Sequence, residues 1–457
     1  MKGGNTMRIP GLVLLLLCTS IASFAQSAPK GVEVTDIDKT VAPCVDFYQY
    51  ANGKWRADNP IPASMTRWSR RWSAGEQTKD RLREILDEIS KRKDWPTGSV
   101  EQVIGDHYCA CMDEARVNTL GAAPLMPWFA DVDKMKNPAD VQAMIARLHA
   151  YGVAVPFALG GNSDSQEPNN VIAYVYATGL GLPDRDYYVK QEPRFKEARE
   201  KYLAHDEAKA KAAAATVMRF ETALAEHSLD NVALRDPRAT DHKMPWAEVK
   251  KITPSFDWDA YFKAAKLQPQ DVNVTQPEFF AEFDRQLSKT PIDDWKTYLK
   301  WHVLHNGADL LSAAFERENF EFYGRYLGGA TEMKPRWKRC VESTDGLLGE
   351  ALGKKYTDKY FPPEAKARML EMVKNLQWAM GDSIQKLDWM GPETKKRAME
   401  KLATFNPKIG YPDKWTDYSS ITIERANYWE NVLRASRFAV ADNWGTIASP
   451  SIAGAGA

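Results

Sequence analysis

The sequence predicts a mainly α-helical fold carrying one small β-hairpin. Apolar residues recur at i, i+3, i+4 and i+7 along most of the chain, and caps, prolines and glycines punctuate those runs at helix-like intervals. Only between Val153 and Thr178 does the pattern change, to two β-rich runs around a long polar turn.

Taken in order, the chain opens with Lys2 and Arg8 ahead of an apolar run, Gly11–Cys18 (GLVLLLLC), followed by small residues to Ala25. That is the layout of a secretory signal peptide, residues 1–25, and the run is shorter than the roughly 20 residues that span a bilayer. Export, periplasmic or extracellular, is therefore expected. An uncleaved signal acting as a membrane anchor is the alternative, and lipidation at Cys18 is disfavoured because Leu17 stands where a small residue is needed. Residues 26–43 read as a linker. The 61 basic and 61 acidic side chains balance, and the leader removes only Lys2 and Arg8, so no basic tract suits nucleic acid. Fifteen tryptophans and eighteen tyrosines in 457 residues favour a large packed interior.

The stretch Cys44–Trp55, CVDFYQYANGKW, packs a cysteine, an acid and aromatics closely together, then turns on Asn59-Pro60-Ile61-Pro62. Beyond it, Leu82, Ile85, Leu86 and Ile89 form one helical stripe, and Ile104, Tyr108, Cys111 and Ala115 a second. Asn137-Pro138 supplies a cap and a first-turn proline for a third, which buries Val141, Met144, Ile145 and Leu148. The runs VPFAL and VIAYVYAT flank the turn-rich GGNSDSQEPNN, the expected hairpin. Residues 196–228 read as one alanine-rich helix with Val217, Phe220 and Leu224 inward. Further helices are expected at 245–252, 257–266, 276–287, 291–316, 335–358, 363–387, 392–404 and 421–440. No strand–helix alternation of a doubly wound sheet appears.

Six ordered motifs resemble the neprilysin-like zinc metallopeptidases, family M13. The opening CVDFYQYANGKW with its N-x-I-P continuation resembles that family's C-x-D-F-Y-x-Y-A-x-G-x-W. Cys111-Met112-Asp113, Gly179–Tyr188 (GLGLPDRDYY), Arg235-Asp236-Pro237, Pro335–Cys340 (PRWKRC) and Lys408–Ser419 (KIGYPDKWTDYS) follow in order, with Asp388-Trp389-Met390 before the last. The resemblance identifies residues 44–441 with the family's large helical N-terminal, non-catalytic lobe. It fades after about Ala441, leaving a small-residue tail, 442–457, without helical periodicity.

A zincin holds its metal with two histidines four residues apart on a helix, a glutamate between them that activates the water, and a third ligand on a later helix. The seven histidines are His107, His149, His205, His227, His242, His302 and His305, and no two have that spacing. His302 and His305 come nearest, at i and i+3, with Asp309 the only oxygen ligand close by. They read as a helix face with one packed and one solvated ring, so neither a metal site nor catalytic residues are expected in this chain. Zinc belongs to full-length members of the family. Ser163-Asp164-Ser165 and Ser449-Pro450-Ser451 lack a nucleophile elbow, and Gly160-Gly161 and Gly328-Gly329 precede no phosphate-loop lysine. Asp184, Asp186, Asp293 and Asp294 read as turn or helix-start acids, and Arg185 is expected to pair with an acid.

The four cysteines of the exported chain, Cys44, Cys109, Cys111 and Cys340, allow three pairings by themselves. The resemblance implies a Cys111–Cys340 disulfide, and it implies that Arg67 lines the substrate chamber and meets the substrate's C-terminal carboxylate. A guanidinium fork suits that contact. The bland alternative for Arg67 is a surface arginine stacked on Trp68 or Trp72. The function expected is the chamber-covering domain of an exported zinc metalloendopeptidase acting on small peptides, truncated and inactive alone. A stand-alone peptide- or partner-binding module, or one half of a split peptidase, are the alternatives. Because relatives rest this lobe on a catalytic domain, Val432, Leu433, Phe438 and Val440 are expected to be less buried than their composition suggests.

Overall fold

The structure, a computed structural model, describes residues 33–205 and 211–447. The expected leader and most of the expected tail lie outside them. Two compact units divide at Pro60 and Ile61.

In the first unit, Asp46 caps helix Phe47–Asp58 by accepting from Gln49 N at 2.9 Å. Gln49 also donates to Asp38 at 3.2 Å, and Asp38 N donates to Tyr50 O at 2.8 Å, folding the preceding turn back on the helix. Gly53 makes that approach possible: a Cβ there would lie 2.7 Å from the Asp38 Cβ. Val45, Phe47 and Tyr48 remain exposed, as does the Cys44 thiol.

The second unit is helical around a four-stranded sheet. The predicted stripes are buried: Leu82, Ile85, Leu86 and Ile89 on helix Arg70–Ser90, and Val141, Met144, Ile145 and Leu148 on helix Pro138–Ala150. Asn137 caps the latter through Asp140 N at 3.1 Å. The expected hairpin is present as β1 (Phe157–Ser163) and β2 (Val171–Ala177), antiparallel with Phe157 opposite Ala177. It is half of a larger sheet. β3 (Lys243–Pro245) and β4 (Asp271–Val274) add to it in the order β1-β2-β4-β3, with β2 and β4 parallel. Strands this short give no readable alternation, so the hairpin expectation is corrected to a mixed sheet.

The outer edge of β1 is closed by the last turn of helix Tyr428–Gly445. Asn443 accepts from Gly161 N at 2.9 Å and donates to its carbonyl at 3.2 Å, while Trp444 Nε1 donates to Leu159 O at 2.9 Å. The helix thus passes Ala441, and Trp444 and Ile447 are buried, correcting the small-residue-tail reading for those residues. Its start is also later than expected: Ile421 and Ile423 are buried at alternate positions of an extended segment before Tyr428. The expected helix 291–316 breaks at Gly307 into Ile292–Gly307 and Ala313–Asn319, continued by a π-helical turn, Phe320–Leu327. Helices Pro193–His205 and Lys211–Glu226 cover the predicted 196–228 segment on either side of the residues that are not described.

Among the described residues, beside a smaller core that gathers Leu182, Tyr188, Tyr202, Trp301 and Phe322, two large apolar cores result. One joins the sheet to the helices around Trp258, Phe279, Trp295 and Tyr298. The other joins helices Arg70–Ser90, Val100–Met112 and Arg336–Tyr360 around the Cys111–Cys340 disulfide, S–S 2.05 Å. Among the described residues no helix is long and apolar enough to cross a membrane.

Candidate functional site

Arg67 follows the Ile61-Pro62 turn. The segment is tied down where Thr331 N and Glu332 N donate to Ala63 O at 2.9 and 3.1 Å, and it ends at Ser69, which caps helix Arg70–Ser90 through Trp72 N. That cap swings Trp72 under the arginine, whose guanidinium carbon lies 5.2 Å from the ring centroid. Arg67 is exposed, so the stack steadies a guanidinium that stays within reach of a carboxylate.

The motif GLGLPDRDYY is held by a buried polar centre. Glu221, fully buried, accepts from Tyr188 OH at 2.7 Å and Tyr202 OH at 3.1 Å, and its other oxygen lies 2.9 Å from His302 Nε2. Trp301 Nε1 donates to Tyr202 OH at 2.7 Å, Tyr298 OH to Gly179 O at 2.8 Å, and Tyr323 OH to Gly181 O at 2.9 Å. Burial, with the Glu221 charge behind it, pushes the Tyr188 and Tyr202 hydroxyls well above the usual tyrosine range, so both stay donors. Gly181 has to be glycine: a Cβ there would sit 1.9 Å from Tyr202 OH. Arg185 differs from expectation. Its Nε donates to Ala225 O at 3.3 Å, which pins the motif to the end of a helix. With a buried carboxylate serving several donors, Glu221→Gln swaps one acceptor for a donor and strands a hydroxyl or the imidazole. A loss of about 2–3 kcal/mol is expected in urea unfolding; a change below about 0.5 kcal/mol would mean the centre is wet.

The acids expected at turns and helix starts are engaged there. Asp184 accepts from Asp186 N at 2.8 Å and Asn231 Nδ2 at 2.7 Å, Asp186 pairs with Lys190, Asp293 with Lys296 and Asp294 with Arg219. In PRWKRC, Arg336 Nε donates to Cys111 O at 2.8 Å, and Arg336 and Arg339 share the buried Glu316 at 3.4 and 2.6 Å. The motif therefore clamps the helix ends beside the disulfide.

Among the described residues, His302, His305 and Asp309 are not arranged to hold a zinc ion. His302 turns its Nε2 onto Glu221 and is only 2% exposed; His305 lies against Trp301, ring centroids 5.8 Å apart, and is half-buried where a solvated ring was expected. The two rings stand 6.4 Å apart at 84°, and Asp309 accepts from Asn319 Nδ2 at 2.8 Å. Among the described residues no group of three or more histidines, cysteines, aspartates or glutamates is placed to hold a metal.

The expected under-buried face on the last helix is not where the apolar surface lies. Leu433 is 9% exposed, and Val432, Phe438 and Val440 pack partly against the two cores. One group of exposed apolar residues lies instead on the hairpin of helices Pro363–Lys386 and Pro392–Ala403 and in the turns beside it, Met369, Met372, Leu376, Trp378, Met380, Trp389 and Phe405, and others are scattered along the chain, from Val45 and Phe47 to Val232. The signal in the sequence is the spacing of Met369, Met372, Leu376 and Met380, one apolar stripe on a helix whose other side carries Glu364, Arg368, Glu371 and Asp382.

A model described as peptidase family M13 matches residues 43–412. Human endothelin-converting enzyme 1 is 26% identical over 462 residues, covering 94% of this chain and 58% of that enzyme. Zinc metalloprotease ZMP1 of Mycobacterium tuberculosis, solved in complex with an inhibitor, superposes with a TM-score of 0.85 at 30% identity, covering 92% of this chain and 65% of that one. PepO from Lactobacillus rhamnosis HN001 shares the fold at a TM-score of 0.75 and 20% identity, over 87% of this chain and 65% of that one. The chain thus spans less than two-thirds of the length of these relatives.

Proposed function

The chain belongs to peptidase family M13, as its N-terminal, non-catalytic domain, and we propose that it serves as the chamber-covering lobe of an exported zinc peptidase that cleaves small peptides. The metal-bearing part of that peptidase then lies outside these 457 residues. What supports this is the coexistence of two findings: the family match over residues 43–412, and no metal-holding group among the described residues. In the assembled enzyme Arg67, exposed and steadied by Trp72, would meet the substrate's terminal carboxylate. Its rigid backing is the helical core that the disulfide and the Glu316 clamp hold together.

Hydrolysis at neutral pH needs a metal with about three protein ligands and an open position for water. The chain alone is therefore expected to leave a quenched fluorescent peptide intact, with added zinc or without. Turnover abolished by a chelator, from a homogeneous preparation, would overturn this function.

A further inference from the structure

A recess beside the motif KIGYPDKWTDYS holds two opposite charges apart. It encloses about 230 Å³ between helix Arg336–Tyr360 and the segment Trp415–Tyr418, with Gly98 and Val100 at its side. Trp415 is fixed in its wall. Tyr411 stacks on that ring at 15°, centroids 6.0 Å apart, and the ring edge comes over Gly353, where a Cβ would stand 3.8 Å away. Val100, Ala351 and Trp415 supply apolar lining, while Glu350 and Lys354 supply charge.

Glu350 and Lys354 lie four residues apart on one helix, acid first, the order that ordinarily closes into a surface ion pair. Among the described residues no ion pair joins them. Thr416 N donates to Glu350 Oε2 at 2.7 Å and turns the carboxylate toward the loop. Lys355 pairs with Glu101 at 2.5 Å, but among the described residues no acid reaches the Lys354 ammonium. The third charge of the lining, Asp417, accepts from Ser419 N at 2.9 Å within its own loop. Glu350 Oε1 and Lys354 Nζ are thus left to face a ligand.

We propose that this recess binds a free α-amino acid with an apolar side chain, its ammonium on Glu350, its carboxylate on Lys354 and its side chain against Trp415, Val100 and Ala351. The volume is that of roughly eight waters at about 30 Å³ each. It falls below the roughly 300–1,000 Å³ of sites for drug-sized ligands, so one residue fits and a longer peptide would protrude. A neutral sugar ring would strip water from both charges and pair neither. A simple cation or anion would leave the opposite charge unpaired. A zwitterion satisfies both through charge-assisted hydrogen bonds. The inference is independent of the peptidase function, and its test reads binding alone.

L-leucine and L-phenylalanine are titrated onto the full chain by saturation-transfer NMR. A Kd of about 1 mM or lower is expected for the tighter of the two. Its N-acetyl derivative lacks the ammonium and its amide lacks the carboxylate, and each should bind at least about tenfold more weakly. These derivatives are read on the parent protein and need no variant to fold. E350Q keeps an acceptor for Thr416 N but loses the charge, and K354M keeps the stem but loses the ammonium. Both should melt within about 2 °C of the parent and bind the amino acid about tenfold or more weakly. No binding of either amino acid up to about 10 mM overturns the inference. Undiminished binding of the N-acetyl derivative or the amide shows that the opposed charges are not the receptor, and overturns it too. Binding unmoved by both substitutions places the ligand elsewhere on the chain, with the same consequence. Equally tight binding of leucylglycine or phenylalanylglycine would make a peptide end the occupant and sink the claim for a free amino acid.

Discussion

Lowering the pH from 7 to 4 is expected to remove about 6 kcal/mol from the unfolding free energy of this chain, through two buried histidines. His107 is wholly enclosed, its Nε2 3.1 Å from Ser343 Oγ, and Tyr428 OH donates to that same oxygen at 3.1 Å. His149 lies between Tyr261 OH at 2.6 Å and Val155 O at 3.0 Å, with no acid to welcome a second proton. Burial pushes both imidazoles down from 6.5 to about 4. The folded-state value is the lower one, so the unfolded chain binds protons first as the pH falls. The stabilisation is therefore complete above about pH 6.5 and is lost towards pH 4, about 3 kcal/mol for each ring. The two rings sit in different cores, so the losses should add. Urea titrations at pH 7, 5.5 and 4.5 read this directly. A midpoint constant across that range would mean that neither ring is held neutral.

Removing the disulfide is expected to cost nearly as much. Cys111 and Cys340 are 229 residues apart, and loop-closure entropy over that span gives about 5 kcal/mol, an upper figure because unfolded chains keep some structure. The bond closes the second core, where both cysteines are buried beside Val341 and Tyr108. The replacement C111A/C340A should lower the urea midpoint sharply, and dithiothreitol should do the same to the parent but not to the variant. Equal midpoints for parent and variant would show that the helices hold without the bond. The exposed Cys44 and half-buried Cys109 give the control, since their replacement should leave the midpoint within experimental error.

Much of the fold was legible because its signals are local. Asn137-Pro138 opens a helix by capping chemistry, and Leu82, Ile85, Leu86 and Ile89 announce their buried face by spacing alone. What was missed depends on distant partners. β4 pairs with β2 across about a hundred residues, and three or four residues of strand carry no readable period. Ile421 and Ile423 are buried two apart, yet their neighbourhood also satisfies a loose helical pattern, which put the last helix too early. Trp444 looked like part of a featureless tail because its indole is used by the carbonyl of Leu159, on another element.

The candidate site divides in the same way. Absence of the histidine spacing was readable from seven residues. The use made of His302 was not, since Glu221, Tyr188 and Tyr202 come from separate helices and meet only in three dimensions. The exposed apolar surface was expected on the last helix for a related reason. Leu433, Val440 and Trp444 pack into or against a core of this chain, whereas Leu376 and Trp378 stay exposed.

The central claim is that these 457 residues form the non-catalytic side of a zinc peptidase. It is tested most directly by loading the purified chain with excess zinc, desalting it, and measuring metal per chain by mass spectrometry. Three ligands set in a folded site hold zinc through desalting, whereas isolated histidines release it. The result predicted is well under a tenth of a zinc per chain, unchanged in a His302→Ala variant. One zinc per chain, lost when His302 or His305 is replaced, would contradict the account.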